Sequence, residues 1–92
     1  MRGMPRIVFT SQLQRFIEAP ELETTALVLR EALEQAFAGH ALLRGYVLDD
    51  QGQLRPNVVI YVDGRVVHER RLLDQVLQPT SLIHVLQALS GG

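Results

Sequence analysis

A helical period occurs once in this chain, between two stretches that are typical of β-strands. From Thr25 to about Ala38, apolar residues recur on one face: Ala26, Leu29, Leu33, Ala36 and Phe37. Thr24 or Thr25 can cap the start of this helix, and Gly39 can end it in a left-handed conformation. A single amphipathic helix must bury its apolar face against other elements, and the neighbouring elements here are strands. The pattern therefore predicts a helix that packs on a sheet.

Five segments supply the strands of that sheet. Arg6 to Thr10 is a short β-rich run, and a turn at Ala19-Pro20-Glu21 leads to a second strand from Glu21 to Thr24. Asp63-Gly64 lies between two β-rich arms and predicts a hairpin, because glycine accepts the positive φ of a type I′ turn. After an irregular stretch that ends at Pro79, the run SLIHVLQAL predicts the last strand.

The order of these elements is hairpin, helix, hairpin, short irregular segment and final strand. If the last strand pairs beside the first, the result is a small mixed sheet over one main helix, which is the β-grasp arrangement. The chain has 92 residues, a length that supports one hydrophobic core, so we expect residues 1–92 to form a single α+β domain.

Composition excludes several function classes. The formal net charge is −1, and no basic block provides a footprint for nucleic acid or an anionic membrane. No segment is apolar enough for a signal peptide or a membrane span, so we expect a cytoplasmic protein. There are no cysteines, and His40, His68 and His84 lack zinc spacing, so we expect no metal site. We also expect no active site of the chain's own.

The stretch LRPNVVIYVDGRVV and the ending VLQALSGG, in this order of elements, resemble the ubiquitin-like sulfur carriers of the MoaD/ThiS type. This family includes the small subunit of molybdopterin synthase and the thiamine-pathway sulfur carrier. The most specific feature of the resemblance is the diglycine directly behind the final strand.

The resemblance implies that the reactive group is the carboxylate of Gly92, with Gly91 behind it. A partner enzyme would adenylate this carboxylate with ATP, and sulfur would replace AMP to give a thiocarboxylate. The implied partners are the adenylating enzyme, a sulfur donor such as a cysteine desulfurase or rhodanese, and a sulfur-accepting synthase. The chain itself would bind no cofactor, and residues 89–92 would form a flexible tail.

Two other functions remain open. The chain could be a protein modifier that attaches through Gly92 to lysines of its targets, since this also requires adenylation and a free diglycine. It could also be a β-grasp interaction module that does not react. The receiving pathway is open as well: molybdopterin, thiamine, cysteine, thiolated tRNA and sulfur-containing secondary metabolites all fit. All nine basic residues are arginine, which codon bias explains, although absent lysines would also protect an activated tail from capture.

Strand alternation also predicts a partner-binding face. Ile83 and Val85 share one side of the last strand, which leaves His84 and Leu86 on the other. Val59 and Tyr61 occupy the corresponding side of the preceding hairpin strand. If the two strands are neighbours, these four residues form an exposed apolar patch beside the tail, and we assign them, together with Leu89, to binding the adenylating enzyme.

Overall fold

A computed structural model describes residues 3–10, 13–14 and 21–87 of the chain. Within these ranges it contains five strands and two helices. In chain order they are β1 (Arg6–Phe9), β2 (Glu21–Glu23), α1 (Leu29–Phe37), α2 (Ala41–Val47), β3 (Val58–Val62), β4 (Arg65–Val66) and β5 (Leu82–Gln87). The predicted turn at Ala19-Pro20 lies outside the described residues.

The five strands form one sheet in the order β2-β1-β5-β3-β4. β1 and β5 are parallel, with Ile7 opposite Ile83, whereas the other neighbouring strands are antiparallel. The last strand therefore lies beside the first, at the centre of the sheet. This confirms the predicted β-grasp arrangement.

The core lies between α1 and one face of the sheet. Apolar residues of α1 are buried on a single side of the helix: Leu29, Ala32, Leu33, Ala36 and Phe37. The ring of Phe37 packs on Phe9 of β1, with 6.4 Å between the ring centroids. From the sheet, Ile60, Ile83 and Val85 are fully buried against this helix face. Four of the five residues of the predicted apolar stripe are therefore on the face that α1 turns to the core, whereas Ala26 is buried in the extended segment before the helix.

The helix begins four residues later than predicted, and neither Thr24 nor Thr25 caps it. Its N-cap residue is Val28, which makes no side-chain capping hydrogen bond. Val28 instead forms an isolated antiparallel bridge with Val76, and the backbone N–H of Leu77 donates to the carbonyl of Leu27 over 2.9 Å. These long-range contacts hold the segment extended, and helical period alone does not reveal them.

Thr24 has a different role from the predicted one. Its buried hydroxyl accepts the Ala26 N–H over 3.0 Å and donates to Oε1 of Gln35 over 2.5 Å. It therefore fixes the extended entry to α1 instead of the first helical turn. The predicted stop at Gly39 is confirmed, because this residue has φ +79° directly after the C-cap residue Ala38.

The second helix, α2, was not predicted. Its seven residues include Gly45, which weakens the helical signal, and its buried contribution is limited to Leu43 and Val47. It is tied to α1 by Arg44, whose guanidinium reaches both carboxylate oxygens of Glu34 at 3.0 and 2.9 Å. In the described ranges, neither helix has the length and apolar character that crossing a bilayer requires.

The turn between β3 and β4 has the conformation that Asp63-Gly64 predicts. Asp63 has φ 53° and Gly64 has φ 81°, so both central residues are left-handed. The Asp63 carboxylate also accepts the Leu82 N–H at 2.9 Å and the Ser81 hydroxyl at 3.1 Å. The hairpin turn therefore fixes the start of β5 as well as its own strands.

Between β4 and β5 the chain is irregular, as predicted, and it closes one end of the core with Leu73 and Leu77. Glu69 organises this segment, because its carboxylate accepts the backbone N–H groups of Leu73, Leu72 and Arg71 at 2.6, 2.8 and 3.3 Å. The hydrogen bond from the Leu73 N–H is the main reason that the pKa of Glu69 lies below its usual value.

Candidate interaction face and the root of the tail

The four patch residues predicted from strand alternation lie together on the outer face of the sheet. β3 and β5 are antiparallel neighbours, and their register places Val59 opposite Leu86 and Tyr61 opposite His84. All four side chains are half-buried and lie on the face that α1 does not cover. The register thus meets the condition that the two strands are neighbours, although the four side chains are half-buried where an exposed patch was expected; the role of the cluster stays a prediction.

Two further residues extend this cluster across the sheet. Val8 of β1 pairs with His84, and Val66 of β4 pairs with Tyr61, so Val8, His84, Tyr61 and Val66 form one row over four strands. Val66 is 39% exposed. We call the six residues the open-face patch, and they are Val8, Val59, Tyr61, Val66, His84 and Leu86.

Sequence reasoning missed Val8 and Val66 for different reasons. Alternation in RIVF does place Val8 opposite the buried Ile7 and Phe9, but its proximity to His84 depends on the parallel pairing of β1 with β5. β4 has only two residues, so its alternation gives no usable signal. One border of the patch is charged, because Arg6 and Glu21 form an exposed ion pair at 2.9 Å.

Gln87 is the last residue of β5 and the last one that the structure describes, and we call it the root of the predicted tail. Gln87 pairs with Val58 at the start of β3, next to the pair of Leu86 with Val59. Side chains of directly opposed residues point to the same face of a sheet. Leu86 therefore lies on the open face, whereas Gln87 lies on the helix side with the buried Val58. Leu89, Gly91 and Gly92 lie outside the described residues.

A polar cleft flanks the tail root on the helix side. It has a volume of about 310 Å³ and is lined by Gly45, Tyr46, Arg55, Asn57 and Gln87. The Nε–H of Arg55 donates to the carbonyl of Gly45 over 2.6 Å, which holds the guanidinium against α2. The tail root therefore has an apolar surface on one side and a polar surface with a fixed cation on the other.

A larger cleft, of about 510 Å³, lies at the opposite pole, where β1 and β5 begin. Its lining is mostly apolar and includes Met4, Ala26, Leu27 and Leu77. β5 has six residues, so the two poles are separated by about 17 Å of strand. Among the residues that the structure describes, no side chain of this lining is an acid or a base at physiological pH.

The histidines do not come together. Across the described ranges, no three side chains of His, Asp or Glu are grouped to hold a metal ion. His84 lies in the open-face patch, whereas His40 precedes α2 and His68 follows β4. Each of them is thus placed by a different part of the fold.

Solved structures with the same fold are similar to this chain over almost its whole length. SAMP1 from Haloferax volcanii matches with a TM-score of 0.82 and 16% identity, over 98% of this chain and 100% of that one. The BexX/CysO complex from Amycolatopsis orientalis matches with a TM-score of 0.81 and 16% identity, over 96% of this chain and 99% of that one. Urm1 from Sulfolobus solfataricus matches with a TM-score of 0.71 and 18% identity, over 90% of this chain and 99% of that one. At these identities the likeness establishes the fold.

A comparison with curated protein sequences found no match. The family model named ThiS family, in contrast, matches residues 7–92, which include every strand and helix except the first residue of β1. The match runs through the open-face patch and to the diglycine. The chain therefore belongs to the ThiS family, that of the ubiquitin-like sulfur carriers.

Proposed function

We propose that the chain is a sulfur carrier whose reacting group is the carboxylate of Gly92. A partner enzyme would join this carboxylate to the α-phosphate of ATP, and pyrophosphate would leave. Sulfur at the oxidation level of hydrosulfide would then attack the acyl carbon and displace AMP, which gives the thiocarboxylate. The observation that carries the proposal is the family match through residue 92.

The chemistry explains why a second protein is needed. A carboxylate at neutral pH is a poor acyl donor, so it must be activated before sulfur can replace an oxygen. Residues 89–92, when extended, would reach about 13 Å into the partner at 3.3–3.6 Å per residue. Glycine at the last two positions lacks the Cβ that would collide with a narrow channel. Because the reaction consumes ATP, we expect it to take place in the cytoplasm.

The open-face patch is the surface that we propose for docking on the adenylating enzyme. Its side chains are contiguous, five of them are half-buried while Val66 is exposed, and Leu86 lies one residue before the tail root. An apolar patch of this kind on a small protein is typical of a protein-binding surface. Leu89 would extend the contact from the patch toward the reacting carboxylate.

The sulfur donor would be a cysteine desulfurase or a rhodanese, whose persulfide an external thiol would reduce to hydrosulfide while a disulfide forms, and a synthase would accept the sulfur from the thiocarboxylate. The complex of BexX with CysO is a solved example of two proteins that assemble around this fold. The chain would act as the substrate of these enzymes and would need no cofactor bound to itself.

Attachment to proteins is the second candidate function. The structural likeness to small archaeal modifier protein 1 favours it, because that protein is named as a modifier. In this case Gly92 would form an amide bond with a lysine of the target instead of accepting sulfur. The chain contains no lysine of its own, so lysine-linked chains of the modifier could not form.

Extending the chain by one residue after Gly92 tests the proposal. Adenylation requires the carboxylate at the end of the diglycine, so the extended protein should support no ATP–pyrophosphate exchange by the adenylating enzyme of its host. The matched control is the unextended protein, which should be active. Equal exchange with both proteins would contradict the proposal and would favour an interaction module that does not react.

A further inference from the structure

Arg55 is held in place before any partner arrives. Its backbone N–H donates to the Val47 carbonyl over 3.0 Å, and its own carbonyl accepts the Val58 N–H over 3.0 Å and Nη2 of Arg70 over 2.6 Å. Its Nε–H is fixed on Gly45. A guanidinium that is already oriented loses little conformational entropy when an anion binds to it.

Arg55 nevertheless lacks a carboxylate partner within the described part of the chain. The ion pairs found there join Arg6 to Glu21, and both Arg30 and Arg44 to Glu34. Asp49 and Asp50 line a neighbouring cleft together with Arg55, but among the described residues neither forms an ion pair with it, and Oδ1 of Asp49 accepts the N–H groups of Gln51 and Gln53 at 2.9 and 3.0 Å. Arg55 is thus a half-buried cation that an external anion can pair with.

The cleft around Arg55 offers further hydrogen-bond donors. Asn57 and Gln87 line it with half-buried amide side chains, and among the described residues these amides have no hydrogen-bond partner. A guanidinium next to two amides is suited to a carboxylate, which accepts several N–H bonds and pairs with arginine through both oxygens.

The position of the cleft indicates where that carboxylate comes from. Gln87 turns to the helix side at the tail root, and Leu86 turns to the open face. A channel that admits the tail must close around this root and contact both faces of the sheet. One side of the channel mouth would meet the open-face patch, and the other would meet the Arg55 cleft.

We infer that Arg55, with Asn57 and Gln87, binds an Asp or Glu side chain at the channel mouth of the adenylating enzyme. This inference rests on the proposed function and adds a second, electrostatic contact to the apolar one. Arg55 acts as a positioning residue, since it sets how the tail enters the channel and does not touch the reacting atoms.

The test is steady-state ATP–pyrophosphate exchange by the adenylating enzyme of the host, with the full chain as the varied substrate. Arg55→Ala should raise the KM for the carrier about tenfold at low salt, with kcat unchanged. Added salt should raise the KM of the wild type and should have little effect on that of the variant. Arg65→Ala removes the same charge from an exposed residue of β4, and should retain the wild-type KM.

Asn57→Asp is a second variant that keeps all the hydrogen bonds of Arg55. The new carboxylate would pair with Arg55 inside the cleft and repel the partner's acid, so the KM should again rise about tenfold. Two-dimensional NMR spectra establish that each variant is folded. If Arg55→Ala does not fold, Asn57→Asp decides the matter alone.

A folded Arg55→Ala or Asn57→Asp protein with the wild-type KM would overturn the inference and leave the proposed function intact. If the wild type supports no exchange at all, the proposed function fails and the inference fails with it. The two failures are therefore distinguishable in one set of measurements.

Discussion

One carboxylate, that of Glu34, connects the two helices. It accepts two hydrogen bonds from Arg44, and Nη1 of Arg30 lies 3.7 Å from Oε2 on the same side. The hydrogen bonds from Arg44 are the largest cause that holds the pKa of Glu34 below its usual value of 4.5. The Glu34 side chain is 40% exposed, so solvent screens much of this interaction.

We expect Arg44→Ala to lower the free energy of unfolding by about 0.5–1 kcal/mol near neutral pH. Because the folded-state pKa of Glu34 is lowered, this contribution is complete above pH 4.5 and is lost as the pH falls through the folded-state pKa. Urea denaturation at neutral and at strongly acidic pH measures both values. Arg65→Ala, which breaks no ion pair among the described residues, is the control. An equal loss for Arg44→Ala at both pH values would contradict the prediction.

At the scale of elements, two glycines have opposite effects on helix stability: one allows a helix to end, and the other weakens a helix from inside. Gly39 ends α1 with φ +79°, whereas Gly45 lies inside α2. A Cβ added at either position would meet no atom within 4 Å, so the two sites differ in backbone conformation and not in space.

We expect Gly39→Ala to destabilise the fold by about 1–2 kcal/mol, because a left-handed alanine is strained. We expect Gly45→Ala to stabilise it by about 0.5–1 kcal/mol, because alanine favours a helix interior. Thermal unfolding of the two variants beside the wild type measures both changes. If both shift the melting temperature in the same direction, the assignment of these conformations is wrong.

The sequence predicts the elements whose signals are local. Alternation locates the core residues Ile83 and Val85, and Asp63-Gly64 specifies its own turn. The start of α1 could not be predicted, because the bridge of Val28 to Val76 joins residues that are far apart in sequence. α2 could not be predicted either, since its seven residues include a glycine and it bonds to α1 through Arg44.

In the candidate site, too, features with a local sequence signal could be predicted, and features that depend on long-range contacts could not. Strand alternation places Val59 and Leu86 on corresponding sides of their strands, and the antiparallel pairing of β3 with β5 then makes them neighbours. The Arg55 cleft was not predicted, since it needs the end of α2, the start of β3 and the end of β5 in one place. No spacing in the sequence brings these three together.

At the scale of the whole molecule, the two ends of β5 have different surroundings. The open-face patch and the Arg55 cleft flank the end that leads to the tail, and the apolar cleft lined by Leu27 lies at the other end. Val59 and Leu86 of the patch lie near the tail end, whereas the row of Val8, His84, Tyr61 and Val66 crosses the middle of the sheet, so an enzyme that covers the patch and the Arg55 cleft would also receive the diglycine.

We expect Leu86→Asp to raise the KM for adenylation at least tenfold, since the new charge would be buried in the apolar docking contact. Leu27→Asp is the matched control, because Leu27 is 72% exposed and lies at the far pole. ATP–pyrophosphate exchange measures both variants, and circular dichroism checks their folding. Unchanged kinetics for a folded Leu86→Asp protein would remove the open-face patch from the docking proposal.

Intact-mass spectrometry of the protein purified from its own host, without an added tag, tests the central proposal most directly. A sulfur carrier should contain a fraction whose mass is increased by the exchange of one oxygen for one sulfur, and fragmentation should locate that exchange at Gly92. A chain found only as adducts with lysines of larger proteins, or only with an unmodified terminal carboxylate while its host is assimilating sulfur, would contradict the carrier function.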